Sequence, residues 1–262
     1  MRPVLFSIFG LDIQTYGVSK AAAALIAAHL LGREFSRLGL KRESAHSLVF
    51  WATIWGFVGA KVYFLLENLD DLSWHHLGGM GFTWYGGLIA GVASALVVIR
   101  RHRLPLGMVA GAAAIPLTVA YGVGRLGCFL AGDGTYGRPS DLPWAMAFPH
   151  GAVPSTVPVH PTPLYETVAA FAIAGVLWWA RRWFPGAGLF GGYLVLSGLS
   201  RFAVEYLRVN TPVVAGLTQP QLWSVLSVAG GAVIVLLSRR SNPQRASKSS
   251  DDSDDATPAV VH

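Results

Sequence analysis

Cysteine is nearly missing from this chain: Cys128 is the only one in 262 residues. An intrachain disulfide and a cysteine-rich metal site are thereby excluded, so the fold must rest on helix packing and backbone hydrogen bonds. Charge is scarce as well. Only 13% of residues are charged against 53% hydrophobic, too few to cover a soluble chain of this length. No repeat with a period of roughly 20 to 50 residues is visible, and no nucleic-acid partner is expected. What is abundant is apolar sequence, with 30 glycines, nine tryptophans and a mean hydropathy of +0.47. That composition predicts a polytopic membrane protein.

A spanning helix needs about 20 mostly apolar residues. Seven stretches qualify, at 13–32, 46–66, 82–99, 105–124, 163–180, 187–207 and 219–238, so the fold expected is all-α with seven transmembrane helices. Basic residues mark cytoplasmic loops, and here they alternate. Arg33, Arg37, Lys41 and Arg42 follow the first stretch, Arg100, Arg101 and Arg103 the third, Arg181 and Arg182 the fifth, and Arg239 and Arg240 the seventh. The second connection carries Asp70 and Asp71 instead, and the fourth and sixth only scattered arginines. The amino terminus is therefore predicted outside and the carboxyl terminus inside. Arg2 ahead of VLFSIFGL admits a signal peptide, but Asp12 and Gln14 interrupt that run, which reads better as an interfacial lead-in. Residues 1–240 are expected to form one membrane domain, and the polar SKSSDDSDDATPAV tail within 241–262 a disordered cytoplasmic extension.

Ionisable groups inside a membrane are costly and often mark function. In this topology they gather in one leaflet. Tyr16 and Lys20 lie in the outward half of the first helix, Lys61 in that of the second, Tyr85 at the outward start of the third and Arg125 at the outward end of the fourth. His160 and Glu166 open the fifth, Arg201 and Glu205 close the sixth, and Gln221 opens the seventh. This one-sided polarity predicts a cavity open to the outer leaflet and disfavours a transporter, which would carry polar groups through both halves. Lys20, Trp74, His75 and His76 read as interfacial anchors. Arg201 and Glu205 stand four residues apart, so they can pair on one helical face that Arg208 continues.

The segments YG at 16–17, WYGG at 84–87, GRLGCFLAGDGTYGRP from 124, VHPTPLYE from 159, RFAVEY from 201 and PQLWS from 220 together resemble the prolipoprotein diacylglyceryl transferase family, over about residues 10–240. The resemblance implies a seven-helix enzyme of the bacterial inner membrane. It moves the diacylglyceryl group of phosphatidylglycerol to the lipobox cysteine of a preprolipoprotein, forming a thioether and releasing glycerol phosphate, without metal or organic cofactor. The expected partners are phosphatidylglycerol, preprolipoprotein signal peptides and the bilayer itself. Catalytic roles are implied for Arg125, Arg201, Glu205 and Tyr85, and substrate contacts for Tyr16, Lys61, Arg125, Asp133, Gly137, His160, Glu166 and Gln221. Chemistry agrees with the arginines, because a guanidinium meets a phosphate with two parallel hydrogen bonds. Gly124, Gly127, Gly132, Gly134 and Gly137 around Arg125 are expected to allow tight turns and backbone approach to an anion.

Four positions depart from the family pattern. Tyr85 stands where a histidine is usual, Cys128 where an asparagine is usual, and Lys61 where an arginine is usual, while GDGTYG is one residue longer than the common spacing. A phenol with a pKa near ~10 is a poor general base. The alternative is therefore a catalytically altered or inactive paralogue that binds phospholipid or lipoprotein without turnover. Cys128 reads as a small packing residue.

Overall fold

The computed structural model describes residues 1–8, 11–69, 81–184 and 186–240. Asp70, Asp71, the expected anchors Trp74, His75 and His76, and the tail from Ser241 lie outside the described residues.

Seven long helices appear where the apolar runs predict them. They are α1 (Thr15–Arg37), α2 (Arg42–Glu67), α3 (Trp84–Arg101), α4 (Leu106–Ala131), α5 (Thr162–Ala180), α6 (Ala187–Glu205) and α7 (Gln219–Arg240). Five of them, α2, α4, α5, α6 and α7, are long and apolar enough to cross a membrane by length and composition. The chain is not purely helical, however. Among the described residues it adds three antiparallel strand pairs: β1 (Val4–Ile8) with β2 (Leu11–Gln14), β3 (Met146–Phe148) with β4 (Ser155–Val159), and β5 (Pro212–Val214) with β6 (Leu217–Thr218). The expected interfacial lead-in is thus the β1–β2 hairpin, in which Ser7 Oγ donates to Asp12 Oδ1 at 2.5 Å. The polar Asp12 that interrupts the apolar run is paired with Ser7 across the two strands.

Successive helices run antiparallel, which sorts their ends. One end holds the basic loops: there Glu34 of α1 pairs with Arg37 and with Arg181 beyond α5, and Ser44 of α2 meets His102 beyond α3 at 3.1 Å. All three hairpins sit at the other end, before α1, between α4 and α5, and between α6 and α7. That end is also tied together by backbone hydrogen bonds, from Arg2 to the carbonyl of Leu130 and from Arg138 to that of Leu207.

α4 is the hub, packed against α1, α5 and α6. Its run of Gly and Ala allows this, since small residues let helix backbones approach where no hydrophobic drive exists between helices in lipid. Two tight helical hairpins complete the bundle, α2 on α3 and α6 on α7. In the second of these a Cβ added to Gly231 would lie 2.6 Å from the Gly191 carbonyl oxygen and 2.9 Å from Leu194 Cβ. Gly231→Ala is expected to force the pair apart at a cost of about 1 to 3 kcal/mol. A lower midpoint of thermal unfolding in detergent would register it.

Candidate active site

Local sequence places each functional side chain. α4 does not end near residue 124, as the sequence suggests, but continues through GRLGCFLA until Gly132, whose φ of +66° terminates it. Arg125 is therefore inside α4, one turn after Tyr121. Gly124 and Gly127 are helical too, and face α1: an added Cβ on Gly127 would collide with Ser19, and one on Gly124 would lie 3.3 Å from Lys20 Nζ. They serve helix packing, while the turn geometry belongs to Gly132 and Gly134, with φ of +66° and +82°. α5 opens with Pro163 in its first turn, where the missing amide costs nothing. That start aims Glu166 at α4 within the first turns.

Glu166 is the meeting point, only 2% exposed. Its Oε1 accepts from Tyr121 Oη at 2.7 Å and from Arg201 Nη1 at 3.0 Å. Its Oε2 lies 3.1 Å from Arg125 Nε, which also donates to Tyr121 Oη at 3.1 Å. Arg201 reaches Glu205 Oε2 with its other nitrogen at 2.9 Å, the i,i+4 pair that the sequence predicts. Glu205 is equally buried, and Oε1 accepts from Asn210 Nδ2 at 2.5 Å and Thr218 Oγ1 at 2.9 Å. Arg208 Nε stands 3.7 Å from Glu205 Oε2. Burial pulls the Arg208 guanidinium below its usual pKa, helped by Arg201 and Arg125 and opposed by Glu166 and Glu205.

Three guanidiniums and two carboxylates leave this cluster with one surplus positive charge. Arg125, Arg201, Glu166 and Tyr121 of this cluster line a cavity of about 790 Å³ between α3, α4, α5, α6 and α7, and these lining groups alone also carry one surplus positive charge. Tyr85 lines the cavity as well, and the rest of its wall combines apolar Leu88, Leu117, Ala170 and Ile173 with hydroxyl-bearing Thr118, Tyr193, Ser197 and Ser227. A monoanion with a long apolar body matches such a space: the surplus charge takes the anion and the apolar wall takes the body.

The other predicted residues stand at different distances from this centre. Gln221 is buried beside it, its Oε1 accepting from the Thr218 amide at 2.9 Å and so fixing the partner of Glu205. Gly137 pairs with Arg208 in a β-bridge, and a Cβ there would lie 2.5 Å from the Leu207 carbonyl oxygen. His160, in the connection ahead of α5, accepts the Gly137 amide through its carbonyl, and its Nδ1 is 3.3 Å from Tyr165 Oη. Asp133 caps its own turn, accepting from the Thr135 amide and hydroxyl. Tyr16 and Lys61 are not among the cavity's lining: Tyr16 lies under Lys20, and Lys61 lies over the Phe64 and Phe82 rings. Cys128 is 4% exposed within α4.

Sequence reasoning missed Tyr121. A tyrosine in an apolar run reads as core, but its i,i+4 spacing to Arg125 was a usable signal.

A family model described as prolipoprotein diacylglyceryl transferase matches residues 3–237. Among curated proteins, the chain is 31% identical over 220 residues to one from Clostridium tetani named phosphatidylglycerol--prolipoprotein diacylglyceryl transferase, covering 79% of this chain and 86% of that one. Proteins of the same name from Geobacter sulfurreducens and Clostridioides difficile are 31% and 28% identical over 255 and 247 residues. These alignments cover 91% and 92% of this chain, and 96% and 97% of the relatives.

Proposed function

The chain belongs to the prolipoprotein diacylglyceryl transferase family, and from that membership we propose that it transfers the diacylglyceryl group of phosphatidylglycerol to the lipobox cysteine thiol of preprolipoproteins. The observation that carries this reading is the convergence of Arg125 and Arg201 on buried Glu166 in the wall of a largely apolar cavity. Phosphatidylglycerol is a monoanion whose acyl chains need an apolar wall. One surplus positive charge is its complement.

In this reading all seven helices cross the bacterial inner membrane, α1 and α3 included. Residues 1–240 form the transferase unit and 241–262 a cytoplasmic tail. The alternation of basic loops supports an outward amino terminus and an inward carboxyl terminus, and the hairpin-bearing end then faces the outer leaflet, where the acceptor's signal peptide presents its cysteine.

The reaction needs a thiolate to attack the glyceryl carbon that bears phosphate. The C–S bond forms as the C–O bond breaks, and the electron pair leaves on glycerol phosphate. Charge on the phosphate grows along this path, so the arginines bind the transition state more strongly than the bound lipid, which is what lowers a barrier. Their field also favours ionisation of a cysteine whose free pKa is ~8.5. Glu166 and Glu205 hold the arginines in place.

Purified protein supplied with phosphatidylglycerol and a lipobox peptide is expected to release glycerol phosphate and add a diacylglyceryl mass to the peptide. Lipid binding without either product would favour the second reading, a binding paralogue, for which Tyr85 in place of a histidine is the motive. A Tyr85→His variant run beside the parent separates the two, since gained turnover would reveal a lost base. Cys128→Ala is expected to leave the transfer rate within about twofold, because the thiol is a buried packing group on α4.

A further inference from the structure

The hydroxyl of Tyr85 has a fixed polarity. Trp223 Nε1 lies 3.2 Å from Tyr85 Oη, the two rings 6.1 Å apart. An indole N–H can only donate, so the phenol oxygen is the acceptor, and the phenol's own proton is left for another partner. Among the described residues the Tyr85 hydroxyl makes no second hydrogen bond. Both residues line the cavity that holds Arg125 and Arg201. A hydroxyl that already accepts one hydrogen bond is a stronger donor and a weaker base, because such chains polarise one another.

We infer that Trp223 is a positioning residue that turns Tyr85 into a neutral hydrogen-bond donor to the phosphate of the bound lipid. The chain Trp223 to Tyr85 to phosphate oxygen runs in one direction, and the guanidiniums supply its charged counterpart across the cavity. Tyr85 is thus set against acting as a general base. Trp223 opens the first turns of α7 and Tyr85 those of α3, so the bond also links two helices that otherwise pack on other partners. This inference rests on the lipid substrate proposed above.

A double-mutant cycle on phosphatidylglycerol affinity tests it, with detergent-solubilised full-length protein and the parent, Tyr85→Phe, Trp223→Phe and the double variant. Tyr85→Phe removes only the hydroxyl, whereas Trp223→Phe removes the indole N–H together with one of its two rings, so the comparison between backgrounds is what separates the polar contact from packing. Tyr85→Phe is expected to weaken binding about tenfold, as a hydrogen bond to a charged group warrants. Trp223→Phe is expected to weaken it about threefold in the parent and not at all in the Tyr85→Phe background, because its effect passes through the missing hydroxyl. Equal losses in both backgrounds would make Trp223 a packing residue and overturn the inference, as would unchanged binding in Tyr85→Phe. The rate profile with pH adds an independent readout: Tyr85→Phe keeps the parent's shape if the phenol is a donor, and loses a limb if it is a base. Absent turnover in the parent would count against the transferase reading alone, since the affinity cycle does not require turnover.

Discussion

Replacing Arg201 with alanine is expected to abolish diacylglyceryl transfer, with the rate of thioether formation falling by about 100- to 1000-fold or more. Arg201 spans two buried carboxylates, Glu166 at 3.0 Å and Glu205 at 2.9 Å, while lining the cavity. Those two contacts fix the guanidinium before any substrate arrives, so it can oppose growing phosphate charge without reorganising. Alanine removes the charge and leaves Glu205 facing only Arg208 among the cations of the described residues, at 3.7 Å. Arg201→Lys keeps the charge but cannot fork between two carboxylates, so most of the loss is expected there too. Single-turnover measurement with a lipobox peptide checks both variants. Retained activity in Arg201→Ala would detach the chemistry from this cluster.

The second large effect is expected at Glu166. Glu166→Ala strips Tyr121, Arg201 and Arg125 of a shared partner, leaving the half-buried Arg125 guanidinium without its counter-charge and Arg201 with Glu205 alone. Breaking a buried pair from one side costs about 3 to 5 kcal/mol, so the variant is expected to unfold at a distinctly lower temperature as well as lose transfer. Glu166→Gln separates shape from charge. Its amide oxygen can still accept from Tyr121 and Arg201, while its amino group must face Arg125. The glutamine variant is expected to recover most of the thermal stability and little of the activity, and stability equal to alanine's would mean that charge alone holds the cluster.

The helices were legible because long apolar runs stand out in the sequence, and the basic residues gathered at one end of the bundle as their alternation along the chain suggests. The carboxyl end of α4 was not. GRLGCFLAG resembles a loop, since glycine weakens a helix by roughly 1 kcal/mol relative to alanine, but Gly127 lies where any Cβ would strike Ser19 of α1. A tertiary contact therefore decides a local conformation. The hairpins escaped notice for a related reason: strands of two to five residues carry too little periodicity to stand out.

Within the site, the sequence revealed what spacing encodes and hid what folding assembles. Arg201 and Glu205 are legible as an i,i+4 pair. The bonds from Glu166 to Tyr121 and to Arg201 join residues 45 and 35 positions apart, and no spacing rule reaches that far. By resemblance Glu166 reads as a substrate contact, whereas in the structure it is the carboxylate that Arg125 and Arg201 share.

α3 packs extensively only on α2, while α7 packs chiefly on α6. For an enzyme whose donor is a bilayer lipid, that seam matters to the cost of delivery. Pulling a fatty acyl tail into water costs about 0.8 kcal/mol for every methylene, a toll that sideways sliding between the two helical pairs never incurs.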